Sequence, residues 1–596
     1  MRRCVCGNYG FLEAVVNDVL HNDASGRDTD SMPRSASSIL TALEKVKEQY
    51  DKHSENHKSE LLDVLAGVGL HSASELKRFH ELLCFMRAYP DGPAVLKRAE
   101  KLLDEFDLRS DLKKLAKDLA NTGISGTRID YEFYWVTAEW LLKKWPEALR
   151  VRWDEPFANR HKLHGLLRSL LPYAELILLD ESGFSPRDWI ELVKGPNETD
   201  AAFLVRRFQK LRCRSATREM IYEDLDIPMS ITPGRDTPSR TKARYAGSPI
   251  FFQTKPRFHK RPVLKSEIRK PPEKVTLVSR REGNRLIDLA RWSMVTRSRE
   301  VDAFANASCD DVFLVDCGQG LQFAGMGPVP ERRHILESVY IFLILKNGVP
   351  IGYVQAAALF GSAEVNFNMF ETYRGADAGW VYGRALATIH HLMKPDCFVL
   401  DPYQVGGDGN VEGLQTGAWW FYYKMGFRPR DPDIRQLGFD EARKVKANPR
   451  YRTPISVLRE LGEAEMYLYL GKKRDDVLSV FPLENLGLHI TRMLAERFGA
   501  DREKAIATCV REGTDLLGVK TLRDLSKNER QAWERWSPLV VVLPGLELWG
   551  SRDKRAVASL ITAKGSQREL DYLHQLDRHA RLRRAIGELA YMPIED

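Results

Sequence analysis

No run of 18 apolar residues occurs anywhere in this sequence, so no helix of it is expected to span a membrane. Near the start, Arg2 and Arg3 are followed by Glu13 and Asp18, where a secretory signal would need an unbroken apolar core. No signal peptide is therefore expected. Cysteine is scarce, with eight in 596 residues. Cys4-Val5-Cys6 lacks a second pair, and Cys309 and Cys317 lie eight apart with no histidine near them, so neither a disulfide framework nor a metal site is expected. The reading is of free thiols in a reducing, cytoplasmic setting. Signatures of other chemistries are missing too. His53 and His57 are separated as in a zinc helix, but Ser54 stands where that helix needs glutamate. Gly318-Gln319-Gly320 has neither a third glycine nor an evident long helix after it, which argues against a dinucleotide turn. There is no Gly-x-x-x-x-Gly-Lys loop, no Gly-x-Ser-x-Gly elbow and no repeat of fixed period.

What the chain does have is an ordinary globular composition, 43% apolar and 29% charged, at a length that calls for several domains. Its basicity is local. The whole chain carries 90 Lys and Arg against 82 Asp and Glu, a net of +8. Residues 235–281 hold fourteen of those cations against only Asp236, Glu267 and Glu273, so that segment is +11 and everything else is −3.

The hydropathy pattern divides the chain five ways. Residues 1–30 are polar and aperiodic and are expected to be a disordered N-terminus. Residues 31–230 read as a helical domain: apolar positions recur at spacings of three and four, as in Val95, Ala99, Leu102 and Phe106. Breakers fall at Tyr89–Pro93, Gly123–Gly126 and Ser182–Pro186. The cluster Trp135, Trp140, Trp145 and Trp153 within it reads as helical core. Residues 231–273 contain seven prolines and read as a basic, Pro-rich linker. Aromatic residues Tyr245, Phe251, Phe252 and Phe258 are interleaved with its cations. That composition suits phosphate contacts with base stacking, so nucleic acid is a possible partner of 235–281. It equally suits a linker packed on acidic surfaces of the same chain. Residues 274–471 switch to strand character at Val312–Val315, Val339–Leu345, Ile351–Leu359, Val365–Phe370 and Cys397–Leu400, with turns at Asn347-Gly348 and Gly361-Ser362. Residues 472–596 return to a helical pattern. The fold class expected is α+β: a central mixed sheet with helices, flanked by N-terminal and C-terminal all-helical domains.

The central region carries the chemistry. The strand ending at Phe370 runs into Tyr373-Arg374-Gly375-Ala376-Asp377-Ala378-Gly379 and then a helix marked by Val381, Ala385, Ile389 and Leu392. A glycine-bearing turn at a helix N-terminus leaves backbone N–H groups unpaired and aimed outward, a site for phosphate. After the short strand Cys397–Leu400, a second helix is expected with Leu414, Ala418, Phe421 and Met425 on one stripe, closed by Gly426. It contains Ala418-Trp419-Trp420-Phe421-Tyr422-Tyr423-Lys424-Met425-Gly426-Phe427.

Together these segments resemble the GNAT superfamily of acyl-CoA-dependent N-acyltransferases, over about residues 274–471. The resemblance implies an acyltransferase with acetyl-CoA or another acyl-CoA as substrate and an amine acceptor of unknown identity. Its alternative is a catalytically inactive scaffold or binding protein of that fold. The cofactor residues it implies are Met369, Arg374, Gly375, Ala376, Ala378 and Gly379. Tyr422 matches the tyrosine that protonates the leaving thiolate, a role suited to a phenol that keeps its proton at neutral pH. Glu364 and Glu371, at the two ends of the fourth strand, are candidates for the general base. No metal and no membrane are implied. Three features depart from the pattern. Asp377 replaces the middle glycine and brings a carboxylate near the pyrophosphate, unless it caps the following helix. The loop Asp401–Asn410 is long. Trp419 and Trp420 are bulky.

Overall fold

The computed structural model describes residues 35–155, 157–255, 261–375 and 377–593. The expectation of a disordered 1–30 lies outside them. The chain forms two compact units, with the first comprising the described residues within Met1–Arg244, Phe251–Pro256 and Asp288–Ala305. The second comprises those within Tyr245–Ile250, Arg257–Ile287 and Asn306–Asp596. Among the described residues no helix is long and apolar enough to cross a membrane.

The first unit opens with helices Ala36–Val46, Lys52–Gly67, Ala73–Ala88 and Pro93–Asp104. Ser35, Asp51 and Ser72 cap the first three by accepting hydrogen bonds from backbone N–H groups of the first turn. The expected breaks hold where the backbone requires them: Gly123 and Gly126 both have positive φ. The unit is not all-helical, however. Strands β1 (Ile129–Tyr131), β2 (Leu149–Val151) and β3 (Met229–Ile231) form an antiparallel sheet with β3 in the centre. Each is three residues long, too short for its alternation to stand out in the sequence. Trp135 and Trp140 are buried in the core with Phe208 and Tyr222, as the density of aromatics implied, while Trp145 and Trp153 pack against its edge.

The basic segment is not a free arm at its start. Arg240 donates its backbone N–H to Gly123 O at 2.7 Å, and the Thr241 side chain is buried between His80 and Ser125. The cations Arg240, Lys242 and Arg244 pair with Glu81, Asp107 and Glu100. For 240–244 the structure therefore displays the second of the two readings left open, packing on acidic groups of the same chain. Arg257, Phe258 and Lys260 lie outside the described residues.

The second unit is a mixed α/β body around one nine-stranded sheet. Its strands are β4 (Lys274–Leu277), β5 (Ala307–Asp316), β6 (Leu321–Pro328), β7 (Ser338–Lys346), β8 (Val349–Leu359), β9 (Ser362–Met369), β10 (Cys397–Leu400), β11 (Arg428–Pro429) and β12 (Met466–Tyr469). Their order is β11-β12-β10-β9-β8-β7-β6-β5-β4. Every neighbouring pair is antiparallel except β9 with β10. The turn between β7 and β8 has positive φ at both Asn347 and Gly348, as a tight hairpin demands. The next hairpin turns at Phe360-Gly361, one residue earlier than expected, again with φ positive at both.

Residues 483–593 fold mostly as helices, and with 472–482 they do not make a core of their own. Val477, Trp533, Trp536, Leu560 and Tyr572 share one buried cluster with Leu359, Phe360, Cys397, Val399 and Tyr467 of the sheet region. The boundary expected at 471/472 is thus a change of secondary structure inside one unit. Hydropathy periodicity reports which face of a helix is buried and carries no information about the element that buries it.

Candidate active site

β9 and β10 lie side by side only over Ser362–Glu364 and Cys397–Val399. Past that point β9 continues to Met369, while β10 ends at Leu400 and the chain turns into a short helix, Pro402–Val405. Strand and helix part, which leaves a gap in the strand pairing beside the second half of β9. Backbone groups alternate sides along a strand, so Phe367 and Met369 present their N–H and C=O toward this gap.

Gln404, from the short helix, fills the gap at Phe367. Its Oε1 accepts from Phe367 N–H at 3.0 Å and its Nε2 donates to Phe367 O at 3.0 Å. The carboxamide thus pairs with the strand as a neighbouring strand would. The same Nε2 donates to the Tyr422 hydroxyl at 2.7 Å. Tyr422 is 3% exposed, and it lies edge-on to Tyr382, with ring centroids 5.5 Å apart. Burial pushes its phenol well above the ordinary tyrosine value, against the opposing pull of the Gln404 N–H. The Tyr382 hydroxyl is buried with no hydrogen-bond partner among the described residues, and burial followed by the Tyr422 charge raises its pKa too. Phe421 and Phe427 complete the ring of aromatics around Tyr422.

The helix carrying Tyr422 is shorter than expected. Gly417, in the left-handed region with φ 64°, breaks the predicted stripe into Val411–Thr416 and Ala418–Met425. Gly426 closes the second piece as a left-handed cap. Trp419 is buried against the Cα of Gly438, where a Cβ would stand 2.7 Å from the indole ring. Its bulk belongs to packing.

The turn at the start of the helix Ala378–Met393 is engaged by the chain itself. Arg374 Nε donates to Met369 O at 3.0 Å, and its guanidinium pairs with Glu412 at 2.5 Å. The Ala378 N–H donates to Gly375 O at 3.1 Å. Ala376 lies outside the described residues. Asp377 is buried, 3% exposed, and stands at the N-cap position without a side-chain capping bond. Its expected alternative role as a cap is therefore corrected: φ −90° and ψ −4° are helical values, whereas a capping side chain works from an extended residue. Gly379 and Gly383 lie one turn apart, under residues 262–267. A Cβ at Gly379 would stand 3.5 Å from Pro262, and one at Gly383 would stand 3.0 Å from Glu267 Cγ. Arg384 fixes this segment by donating to Lys270 O and Pro271 O at 3.0 Å each and pairing with Glu267 at 3.3 Å.

The two candidate bases part company. Glu364 lies half-buried on β9, opposite Ala357 of β8 and Val399 of β10. It shares a face with Asn366 and Asn368, which stand opposite Gln355 and Tyr353. Glu371 stands exposed on the turn after β9. Sequence reasoning missed Gln404, Phe367 and Tyr382. The only signal for Gln404 was the unusual length of its loop, and Tyr382 sat unremarked beside the predicted core position Val381. Among the described residues no group of three or more His, Cys, Asp or Glu could hold a metal ion. Comparison with known protein families, characterised proteins and solved structures gives no match.

Proposed function

We propose that the second unit is an acyl-CoA-dependent N-acyltransferase of GNAT-like fold acting on an amine. The observation that carries this reading is the single parallel strand pair in an otherwise antiparallel sheet, with a gap beside β9 and a buried phenol, Tyr422, at that gap. A strand that stops pairing halfway leaves backbone donors for a thioester carbonyl, the kind of fixed dipole that stabilises a developing oxyanion. Met369 presents its N–H there. Tyr422 supplies the proton for the leaving sulfur, and the half-buried Glu364 is better placed than exposed Glu371 to receive a proton from the amine. Glu364, Asn366, Asn368 and Gln355 give the adjoining face of the sheet a polar lining suited to an amine-bearing acceptor.

The alternative is a non-catalytic scaffold. One observation favours it: Pro262 and Glu267 sit on the two glycines of the helix, and Asp377 is buried in the turn where a pyrophosphate would lie. Isothermal calorimetry with acetyl-CoA and longer acyl-CoAs separates the two. Binding in the micromolar range, followed by transfer to a panel of amines, supports the enzyme. No binding at millimolar concentration removes it.

A further inference from the structure

We propose that Gln404 is a positioning residue of this site, which holds the Tyr422 hydroxyl and stabilises the phenolate left when Tyr422 gives up its proton. The inference rests on the acyl-transfer reading and assigns the residue that makes the acid work. In the step concerned, the amine nitrogen forms its bond to the acyl carbon and the C–S bond breaks with its electron pair going to sulfur. The Tyr422 O–H bond then breaks, the proton joins sulfur, and the electron pair stays on the phenol oxygen. The proton shed by the amine later restores the phenol.

A phenolate buried among rings is costly unless donors face it. Gln404 places one on this oxygen, at 2.7 Å. Gln404 cannot rotate freely, because its carboxamide is held at two points by the Phe367 backbone, and that pairing aims the remaining Nε2 hydrogen at Tyr422. Tyr382 is fully buried and packs its ring edge-on against Tyr422, but its hydroxyl bonds neither Tyr422 nor any other described residue. Among the described residues Gln404 is the one hydrogen-bond partner of the Tyr422 oxygen. Around it stand the rings of Phe421 and Phe427.

The test uses the full chain with 3,5-difluorotyrosine at position 422, whose phenol ionises low enough to titrate by absorbance. Replacing Gln404→Leu should raise that pKa by about one unit, a tenfold weaker acid or ~1.4 kcal/mol. Gln404→Glu keeps an acceptor for the Phe367 N–H and so guards against a fold defect in the leucine variant. It should raise the pKa at least as much. With natural Tyr422 and acetyl-CoA, Gln404→Leu should lower kcat about tenfold and leave KM unchanged. A pKa that moves less than twofold in Ka overturns the proposal, whatever the activity. A full shift without turnover of any acyl-CoA overturns the acyl-transfer reading and the catalytic part of this proposal with it. Turnover that falls without a shift makes Gln404 a structural residue only.

Discussion

Arg333 and Glu569 form an ion pair at 3.1 Å with both side chains 1% exposed. The pair is the centre of a buried polar network. Arg333 also donates to the carbonyls of Lys564, Ser566 and Gln567, Lys564 pairs with Glu569, and Asp311 accepts from Glu569 N–H and from the Tyr340 hydroxyl. Burial lowers Lys564 to about 8 and raises Asp311 to about 6. Removing one member strands the others in a dry interior. Glu569→Ala is expected to destabilise the second unit by about 3–5 kcal/mol, the scale for breaking a buried pair from one side. Urea unfolding monitored by tryptophan fluorescence measures it. A loss under about 1 kcal/mol would mean that water or a shifted partner satisfies Arg333.

Removing a single oxygen tests the proposed acid. Tyr422→Phe keeps the ring packed between Tyr382 and Phe427 and loses only the bond from Gln404, so the fold should persist. Acyl transfer should slow by roughly 10²-fold, the scale for a positioned acid. Steady-state kinetics at saturating acyl-CoA decides it, and unchanged turnover would retire Tyr422.

Asp377→Gly probes the turn. The substitution removes a buried carboxylate from the neighbourhood of the proposed pyrophosphate, and no capping bond is lost with it. Acyl-CoA affinity is expected to rise about fivefold, or roughly 1 kcal/mol for one partly screened charge. Calorimetric titration of both forms gives the answer. A lower affinity in the glycine form would show that Asp377 helps to build the turn.

Glu300 and Glu223 should each make the first unit less stable as pH rises. Burial, with smaller contributions from Glu223 and Asp302, pushes the Glu300 carboxyl up to about 8, although the Tyr134 N–H donates to it at 2.5 Å. Burial likewise raises Glu223 to about 7. An acid whose folded pKa lies above its unfolded value binds more protons when folded, so stability falls with pH through the interval between the two. Here that interval runs from about 4.5 to about 8. Glu300→Gln, neutral throughout, should flatten the slope and be the more stable form at pH 8. Thermal unfolding at pH 5, 6.5 and 8 checks the sign. Buried His80, whose pKa burial lowers, works in the opposite sense, so the difference between the two forms carries the sign: a Glu300→Gln midpoint that does not gain on wild type from pH 5 to pH 8 would contradict it.

Much of the secondary structure was legible in the sequence, because local spacing sets it. The strand Cys397–Leu400 emerged with the expected bounds, and Val381, Ala385, Ile389 and Leu392 all face the interior of their helix. β6, β4 and β11 did not emerge. β6 carries Gly325 and Gly327 beside buried polar Gln322, β4 is mostly exposed, and β11 is two residues long. None shows the alternation that marks a strand on its own. At the site, Tyr422 could be singled out from the residues around it, but its partners could not. Gln404 reaches Phe367 across 37 positions of sequence, through a hydrogen bond made by an amide that looks like any loop glutamine.

The sequence by itself determined where helices and strands would lie, that charge is concentrated in one segment, and which phenol merits attention. Each depends on residues close together in the chain. Only the tertiary structure decided that the C-terminal helices share the core of the sheet, that Arg240, Lys242 and Arg244 meet acids of the first unit, and that Gln404 bridges β9 to Tyr422. Those are pairings between distant segments, fixed by which buried surfaces and polar groups the folded chain brings within a few ångströms. A pattern read along the chain contains no such distance.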